Sequence, residues 1–294
     1  YLNQGGPQLQ NRATPGFQPE TLPTGAPFSV FMPPANTGLG YLELVSDADL
    51  LAMSDPHDLN GDGISGVPNW KPLGAYLIAG KNAIAMNGKY IHRFGKKASA
   101  FSLLHQTVNA YNQDMGIASS YNPYDVYTSE EIDPEISVQE IIDVVFYLQT
   151  LKAPVQRDQQ NPEVKKGKEI FTGLGCNSCH RETLKTGESP VAALSAKEFH
   201  PYTDLLLHDM GPGLDDGYTE GSAKTSEWRT PALWGLGLSP NSQGGRFFLL
   251  HDGRAHSIEE AIQLHGGEAA ASRDKFEALS ETDKKALVKF LNSL

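Results

Sequence analysis

The sequence is poor in cysteine, in basic residues and in long apolar stretches, and each shortage excludes a class of protein. Two cysteines in 294 residues are too few for the disulfide framework of a small secreted domain. Lysine and arginine total 24 against 35 aspartate and glutamate residues, for a net charge of −11, so nucleic-acid binding has no electrostatic support. No apolar run approaches the roughly 20 residues of a membrane-spanning helix. We therefore expect a globular protein with no nucleic-acid partner and no transmembrane segment.

Both cysteines lie in one short motif, Cys176-Asn177-Ser178-Cys179-His180. C-x-x-C-H is the attachment signature of a c-type haem, in which two thiols form thioethers to the porphyrin and the histidine is the proximal iron ligand. A redox dithiol needs no histidine there, and a structural zinc site needs four ligands, usually from two such pairs. The motif therefore predicts one haem c bound by Cys176, Cys179 and His180.

The haem motif also predicts where the protein works. Haem is attached to C-x-x-C-H outside the cytoplasm in bacteria, so we expect an exported protein of the periplasm or the cell surface. The chain begins at Tyr1 without a signal-like segment, which we interpret as processing or truncation. We expect a redox partner protein or a small electron donor.

A second motif matches the first half of an EF-hand calcium loop. Oxygen-bearing side chains stand at positions 1, 3 and 5, a glycine at position 6 and a backbone carbonyl at position 7; these are Asp58, Asn60, Asp62, Gly63 and Ile64. Position 12 is Asn69, so a bound calcium ion would need a ligand from elsewhere. The same residues also favour a tight turn without an ion, and both interpretations stay open.

Chain length and the distribution of glycine and proline suggest two domains and an extended arm. Residues 1–40 are rich in Gly and Pro and alternate only briefly at Phe28–Met32, which indicates an arm with at most one hairpin. Residues 152–162 are polar and lack an apolar pattern, as is typical of a linker. We expect a partial N-terminal domain over 1–152 and a C-terminal haem domain over 163–294.

Apolar periodicity and capping residues predict helices at 46–53, 102–111, 137–151, 162–171 and 281–294. The fourth of these helices delivers its C-terminal end to the haem motif, and the fifth closes the chain. They would be the crossing first and last helices of a cytochrome c fold. We therefore expect a mainly α protein, with cytochrome c-like haem domains, long irregular loops and few short strands.

Six further blocks carry a resemblance to a known family. They are D-L-N-G-D-G-I-S-G at 58–66, R-F-G-K-K-A at 93–98, D-M-G-I at 114–117, L-L-L-H-D-M-G-P-G-L at 205–214, S-E-W-R-T at 226–230 and H-D-G-R-A at 251–255. With the haem motif, they resemble the di-haem "thiol oxidoreductase" branch of the bacterial di-haem cytochrome c peroxidase and methylamine-utilisation enzyme superfamily. The match spans nearly the whole chain. That branch has another C-x-x-C-H in an N-terminal portion, which this chain lacks, so the resemblance implies a second haem in a longer precursor or a mono-haem protein.

The resemblance implies a distal iron ligand at the end of the helix that follows H-D-G-R-A, and His265 occupies that place. Two glycines follow it and would end the helix. His208 and Met210 are the alternatives, and an iron with an open position is a third. His105 and Met115 are either ligands of a first haem or ordinary helix and loop residues.

The function that the resemblance implies is that of a peroxidase-like di-haem oxidoreductase, whose C-terminal haem receives electrons and passes them to a second, reactive haem. Two strong axial ligands suit electron transfer, whereas peroxide chemistry needs an open position. The alternatives are a non-enzymatic electron-carrier cytochrome c and an accessory protein of metal acquisition. The "thiol" label of the branch finds no support, because haem would consume both cysteines.

A faint internal repeat is compatible with two haem-domain halves. Phe94-Gly95-Lys96 precedes a helix near 103–111, as His251-Asp252-Gly253-Arg254 precedes one near 258–265. Chance similarity between two amphipathic helices explains this pattern equally well.

Overall fold

The computed structural model describes residues 9, 15–16, 18, 21–125 and 130–294. The described residues form helices, long loops and a few short strands, in agreement with the expected mainly α chain. The α-helices are α1 (Leu39–Glu43), α2 (Asp47–Met53), α3 (Leu103–Asn109), α4 (Val138–Thr150), α5 (Pro162–Gly173), α6 (Ser239–Ser242), α7 (Ile258–Gln263), α8 (Ala270–Glu277) and α9 (Glu281–Ser293). None of them, within the described ranges, has the length and apolar character needed to cross a membrane.

Polar caps fix the starts of the predicted helices. Ser46 accepts a bond from the third residue of α2, and Ser280 does the same for α9. Ser137 forms a reciprocal capping box with Glu140 at the start of α4, which satisfies two otherwise unpaired N–H groups. Asn161 caps α5, whose first residue is proline. The predictions of helices at these four places are confirmed. The helix predicted at 102–111 is α3, which continues as a π-helix, Ala110–Asp114.

The strands of the described residues pair into three short antiparallel hairpin-like sheets. β1 (Asn69–Lys71) pairs with β2 (Tyr90–His92), β3 (Leu184–Lys185) with β4 (Glu198–Phe199), and β5 (Leu207–Asp209) with β6 (Glu227–Arg229). In the third sheet His208 lies directly opposite Trp228, so an imidazole and an indole are cross-strand neighbours. No strand forms at Phe28–Met32, so the brief alternation there does not make a hairpin.

Helices α5 and α9 cross closely and form the core of the C-terminal half. Phe171 of α5 packs against Phe290 of α9 and against Tyr202, with ring centroids 5.4 and 6.0 Å apart. Gly167 lies directly on the backbone of Ala286, an approach that a larger residue would prevent. The predicted contact between these two helices is confirmed, and it brings the end of α5 and the haem motif over a buried apolar core.

A second apolar core is shared between the two stretches that the sequence separates at 152–162. Residues before the linker pack with residues after it; the buried members include Leu42, Leu50, Ile91, Ile141, Leu184, Phe199 and Leu206. Backbone bonds join Val67 and Leu207 in both directions, at 2.8 and 2.9 Å. Burial of such side chains stabilises by about 1.5–3 kcal/mol each, so the two stretches depend on each other here. The division into two domains stays a prediction.

The internal repeat has a structural counterpart. Phe94 bridges Ala100, and Leu249 bridges Ala255, so both loops close over the same span. Gly95 and Ala98 of the first loop have positive φ, and so do Leu250 and Gly253 at the same positions of the second loop. In each, a serine two residues beyond the bridge caps the next helix, with φ of −142° for Ser102 and for Ser257. The register differs from the one expected, because Phe94 corresponds to Leu249 and not to His251.

The described part of the N-terminal arm lies on the C-terminal half. Met32 donates its N–H to the carbonyl of His251 at 2.6 Å, and Phe31 packs edge-on against Trp228 with centroids 5.8 Å apart. Ser29 hydrogen-bonds Asp216. The arm therefore covers the region around Trp228.

The close crossing of α5 and α9 predicts a strong cost for Gly167→Ala. A Cβ there would lie 2.1 Å from the carbonyl oxygen of Ala286, so the helices must separate and the free energy of unfolding should fall by about 1–3 kcal/mol. Gly173→Ala, in the same helix with no atom within 4 Å, should be neutral or stabilise by up to about 1 kcal/mol. Urea unfolding followed by circular dichroism measures both. Equal midpoints for the two variants would contradict the crossing.

Candidate functional site

A cavity of about 290 Å³ lies beside the C-x-x-C-H motif. Its wall is mostly apolar, with side chains that include Phe171, Trp228, Leu249, Ile258 and Leu287. The same wall carries polar and sulfur groups: Cys176, Cys179, His180, His208, Met210, His251 and His265. The structure thus brings the two preferred histidine ligands and both cysteines to one enclosed space.

The local fold delivers the cysteines to the cavity. α5 ends at Gly173, Gly175 turns the chain with φ of 87°, and a 3-10 helix, Cys176–Ser178, follows. Neither thiol forms a disulfide. Burial raises the pKa of the Cys176 thiol to about 11 and also raises that of Cys179. Both are therefore protonated at neutral pH, which is the opposite of a reactive redox thiolate.

His180 and His265 are held in the same tautomer by backbone carbonyls. His180 donates Nδ1–H to the carbonyl of Tyr202 at 3.1 Å, and His265 donates Nδ1–H to that of Ala261 at 2.6 Å. Burial and, to a smaller extent, the nearby His265 lower the pKa of His180 to about 4. Burial also lowers the pKa of His265. Each ring is thus neutral at pH 7 with Nε2 unprotonated, which is the form that binds a metal ion.

His208 is in a contrasting environment. Its Nε2 lies 2.8 Å from Asp204 and its Nδ1 2.7 Å from Glu268. Burial opposes the charge, but bonds to Asp204, Cys179 and Glu268 outweigh it and raise the pKa of His208 well above 6.5. The ring is therefore an imidazolium with both nitrogens donating and no lone pair for iron. The potential metal-ligand atoms of Cys179, Asp204 and His208 lie within 4.8 Å of one another. The hydrogen bonds of His208 to Asp204 and Glu268 nevertheless use both of its ring nitrogens.

Glu268 connects the cavity to the predicted calcium loop. It accepts bonds from Ser65 N at 3.0 Å, from Ser65 Oγ at 2.6 Å and from Asp209 N at 3.2 Å, in addition to its pair with His208. Burial raises the pKa of Glu268, but the bonds from His208 and Ser65 outweigh burial and lower it to about 2. Sequence reasoning missed Glu268 and Asp204, because nothing in their local pattern marks them as partners of His208.

The predicted calcium loop is curled, and its oxygens accept backbone bonds. Asp58 accepts from Gly63 N at 3.1 Å, Asn60 from Asp62 N at 2.8 Å, and Asp62 from Ile64 N at 2.9 Å. These bonds belong equally to a tight turn and to a loop before calcium binds. The calcium site therefore stays a prediction.

The wall also carries an aromatic stack. Trp228 stacks on His251 with centroids 3.6 Å apart and planes 5° from parallel, and Lys97 Nζ lies 3.7 Å from the centre of the indole. Lys97 also donates to the carbonyls of Lys224, Thr225 and Glu227. His251 is therefore a buried histidine packed against an aromatic ring, and nothing in the sequence analysis predicted the lysine over Trp228.

The proposed ligands of a first haem lie apart from this cavity. His105 accepts the N–H of Phe101 at its Nδ1, and Met115 is 54% exposed. Beside His105 lies His92, which the sequence analysis did not single out, and whose buried Nε2 has no hydrogen-bond partner in the described part of the chain. Burial lowers the pKa of His92 to about 3 and that of His105 to about 4.

Comparison with known families identifies the chain. The family model described as "Di-haem oxidoreductase, putative peroxidase" matches residues 30–294, which include the haem motif and every wall residue of the cavity. The chain belongs to the di-haem oxidoreductase family. The resemblance drawn from the sequence blocks is therefore confirmed.

Other comparisons add little to this family assignment. A search of curated proteins found no match. A hydrazine synthase chain from Kuenenia stuttgartiensis, solved under xenon pressure, aligns over 99% of this chain and 100% of that one, with 17% identity and a TM-score of 0.39. A likeness at this level supports no inference about fold or function.

The cavity of this family member fits a covalently bound haem. The apolar wall suits a porphyrin ring, both protonated thiols of the attachment motif line the cavity, and two neutral imidazoles offer lone pairs. Those two histidines and the two cysteines are the residues that would hold it.

Proposed function

We propose that this family member is a peroxidase-like c-type haem oxidoreductase whose C-terminal haem serves electron transfer. The observation that carries the proposal is the common position of Cys176, Cys179, His180 and His265 on the wall of one apolar cavity. Bound there, a haem supplies one-electron redox chemistry. The protein supplies covalent attachment, two axial ligands and exclusion of water.

Each residue has a defined role in this proposal. Cys176 and Cys179 form the thioethers, His180 is the proximal ligand and His265 the distal ligand. The carbonyls of Tyr202 and Ala261 orient the two rings and keep Nδ1 protonated, which directs Nε2 to the metal. Two strong ligands leave no open position, so reduction of peroxide would take place at a second haem.

We further propose that the chain consists of two cytochrome c-like halves, a partial one over 1–152 and a complete one over 163–294. The crossing of α5 and α9 and the paired loops at Phe94–Ala100 and Leu249–Ala255 support this division. The attachment motif supports export to a periplasm or a cell surface. A redox partner protein or a small donor would supply the electrons.

A non-enzymatic electron carrier is the second candidate, because a haem with two histidine ligands needs no substrate site. Hydrogen peroxide turnover distinguishes the candidates when it is measured on protein that contains both haems. Turnover indicates the oxidoreductase, whereas electron exchange without turnover indicates the carrier.

Covalent attachment is the first expected outcome. Protein produced with a c-type maturation system should gain the mass of one haem at this motif and keep a c-type absorbance spectrum after denaturation and reduction. Replacement of both Cys176 and Cys179 by alanine should abolish the mass gain, whereas alanine at the exposed His200 should not. Extraction of the pigment by acid–acetone would disprove covalent attachment.

Distal ligation by His265 is the next expected outcome. The wild-type ferric spectrum should be low-spin, and His265→Ala should turn it high-spin and allow cyanide to bind, because a carbonyl-oriented imidazole is lost. His208→Ala should stay low-spin, since His208 has no free lone pair. Optical and electron paramagnetic resonance spectra measure the change. If Met210→Ala turns high-spin while His265→Ala stays low-spin, the distal ligand is Met210.

We also propose that Asp58, Asn60, Asp62 and the carbonyl of Ile64 bind calcium, as the loop pattern predicts. Calcium at about 100 times its Kd should stabilise the protein by about 2.7 kcal/mol. Removal of calcium by a chelator should lower the melting temperature of the wild type but not of Asp62→Asn. The exposed Asp133→Asn serves as a control that keeps the calcium response. A wild-type melting temperature unmoved by the chelator would leave only the turn.

A further inference from the structure

Two cations of the cavity wall, Lys96 and Arg229, have only carbonyl partners. Lys96 Nζ lies 3.3 Å from the carbonyl of Leu250, and Arg229 donates Nε–H to Gly95 O at 2.8 Å and Nη1–H to Thr230 O at 3.0 Å. Both residues line the cavity, and Arg229 is 9% exposed. A carbonyl accepts a hydrogen bond but carries no net charge to balance the cation.

No carboxylate in the described part of the chain lies within 4.0 Å of either cation. The acidic groups that act on them from a distance are bonded elsewhere: Asp204 pairs with His208, and Asp252 pairs with Arg254. The other buried lysine and arginine of the described residues are paired, Arg93 with Asp47 and Lys97 with Asp216. Lys96 and Arg229 are therefore unusual within this molecule.

A backbone hydrogen bond joins these two residues, and the charge of Arg229 acts on Lys96. Arg229 N donates to Lys96 O at 2.9 Å, so a residue from before the linker and one from after it meet on the wall. Burial, followed by the charge of Arg229, lowers the pKa of Lys96 to about 8, and burial lowers the pKa of Arg229 to about 10. Lys96 is half-buried and Arg229 is buried; two like charges withdrawn from water repel each other, and a pair of negative charges would relieve that cost.

We propose that Lys96 and Arg229 bind the two propionate carboxylates of the haem. This inference rests on the proposed function, since it requires a haem in this cavity. A haem has an apolar ring and two carboxylates, which matches an apolar wall with two unpaired cations at one place. Arginine is well suited to a carboxylate because its guanidinium donates in a fork.

The other cations of the described wall, Arg273 and the His208 imidazolium, do not serve this role, because His208 is paired with Asp204 and Glu268. Arg273 also lines the cavity, but it is paired with Asp274 at 2.7 Å and donates Nη1–H to the carbonyl of His265 at 3.1 Å. Its charge is thus balanced before any ligand binds. Lys96 and Arg229 are therefore the two wall cations whose charge an anionic ligand would balance.

The test compares Lys96→Met with Lys89→Met in the holoprotein. Both remove one positive charge, but Lys89 is exposed and lies outside the cavity wall. Lys96→Met should lower the midpoint potential, because loss of a nearby cation favours ferric iron, and should raise the pKa of a haem propionate. Redox titration over a range of pH and infrared difference spectra measure these two changes. Lys96→Arg should restore wild-type values, and Lys89→Met should differ little because solvent screens its charge.

The propionate pKa separates pairing from packing. A loosened cavity would admit water and lower this pKa, whereas loss of a paired cation raises it. If haem is attached in every variant and Lys96→Met matches Lys89→Met in both measurements, the inference is wrong and the proposed function stands. If the wild type carries no covalent haem, the proposed function fails, and this inference fails with it. Should Lys96→Met not fold, Lys96→Gln and Arg229→Gln each remove one positive charge and give the same comparison with Lys89→Met.

Discussion

Desolvation of the cavity is the constraint on which every polar group of its wall depends. Away from water, an imidazole stays neutral unless acidic groups stabilise its charge. His180 and His265 have only carbonyl partners, and their pKa values are lowered. His208 has two carboxylate partners, and its pKa is raised. Burial therefore leaves His180 and His265 neutral with a free lone pair, whereas His208 is a cation. The hydrogen-bond partners of each ring decide its charge.

The same constraint explains why both parts of the chain are needed to build the cavity. Glu268 keeps its negative charge because His208 donates a bond to it and Ser65, from the loop before the linker, donates two more. Lys96, also from before the linker, is fixed by the backbone of Arg229. A buried charge whose partners are removed costs more than the pair contributes. The N-terminal stretch is therefore part of the electrostatic structure of the site, and a C-terminal stretch alone would expose Glu268 and lose Lys96.

Local signals in the sequence predicted the helices and the position of the attachment motif, because serine caps, apolar periodicity and C-x-x-C-H act over short spans. They did not predict the pairing of His208 with Asp204 and Glu268, or the placement of Lys97 over Trp228. These contacts join residues up to 131 positions apart, and tertiary packing alone creates them. Alternation at Phe28–Met32 suggested a hairpin that does not form. The arm packs on Trp228 and His251 instead, so it needs no strand partner.

The paired loops carry an asymmetry that bears on the proposed division of labour. In the shared register Ser102 matches Ser257 and α3 matches α7, so Ala110 stands where the C-terminal half has His265. Alanine has no ligand atom, so under the proposed function a haem in the N-terminal stretch would lack a counterpart of His265. An open position is what peroxide reduction requires, whereas a second histidine suits electron transfer. The two loops thus share a geometry but differ at the position of the distal ligand in the proposed function.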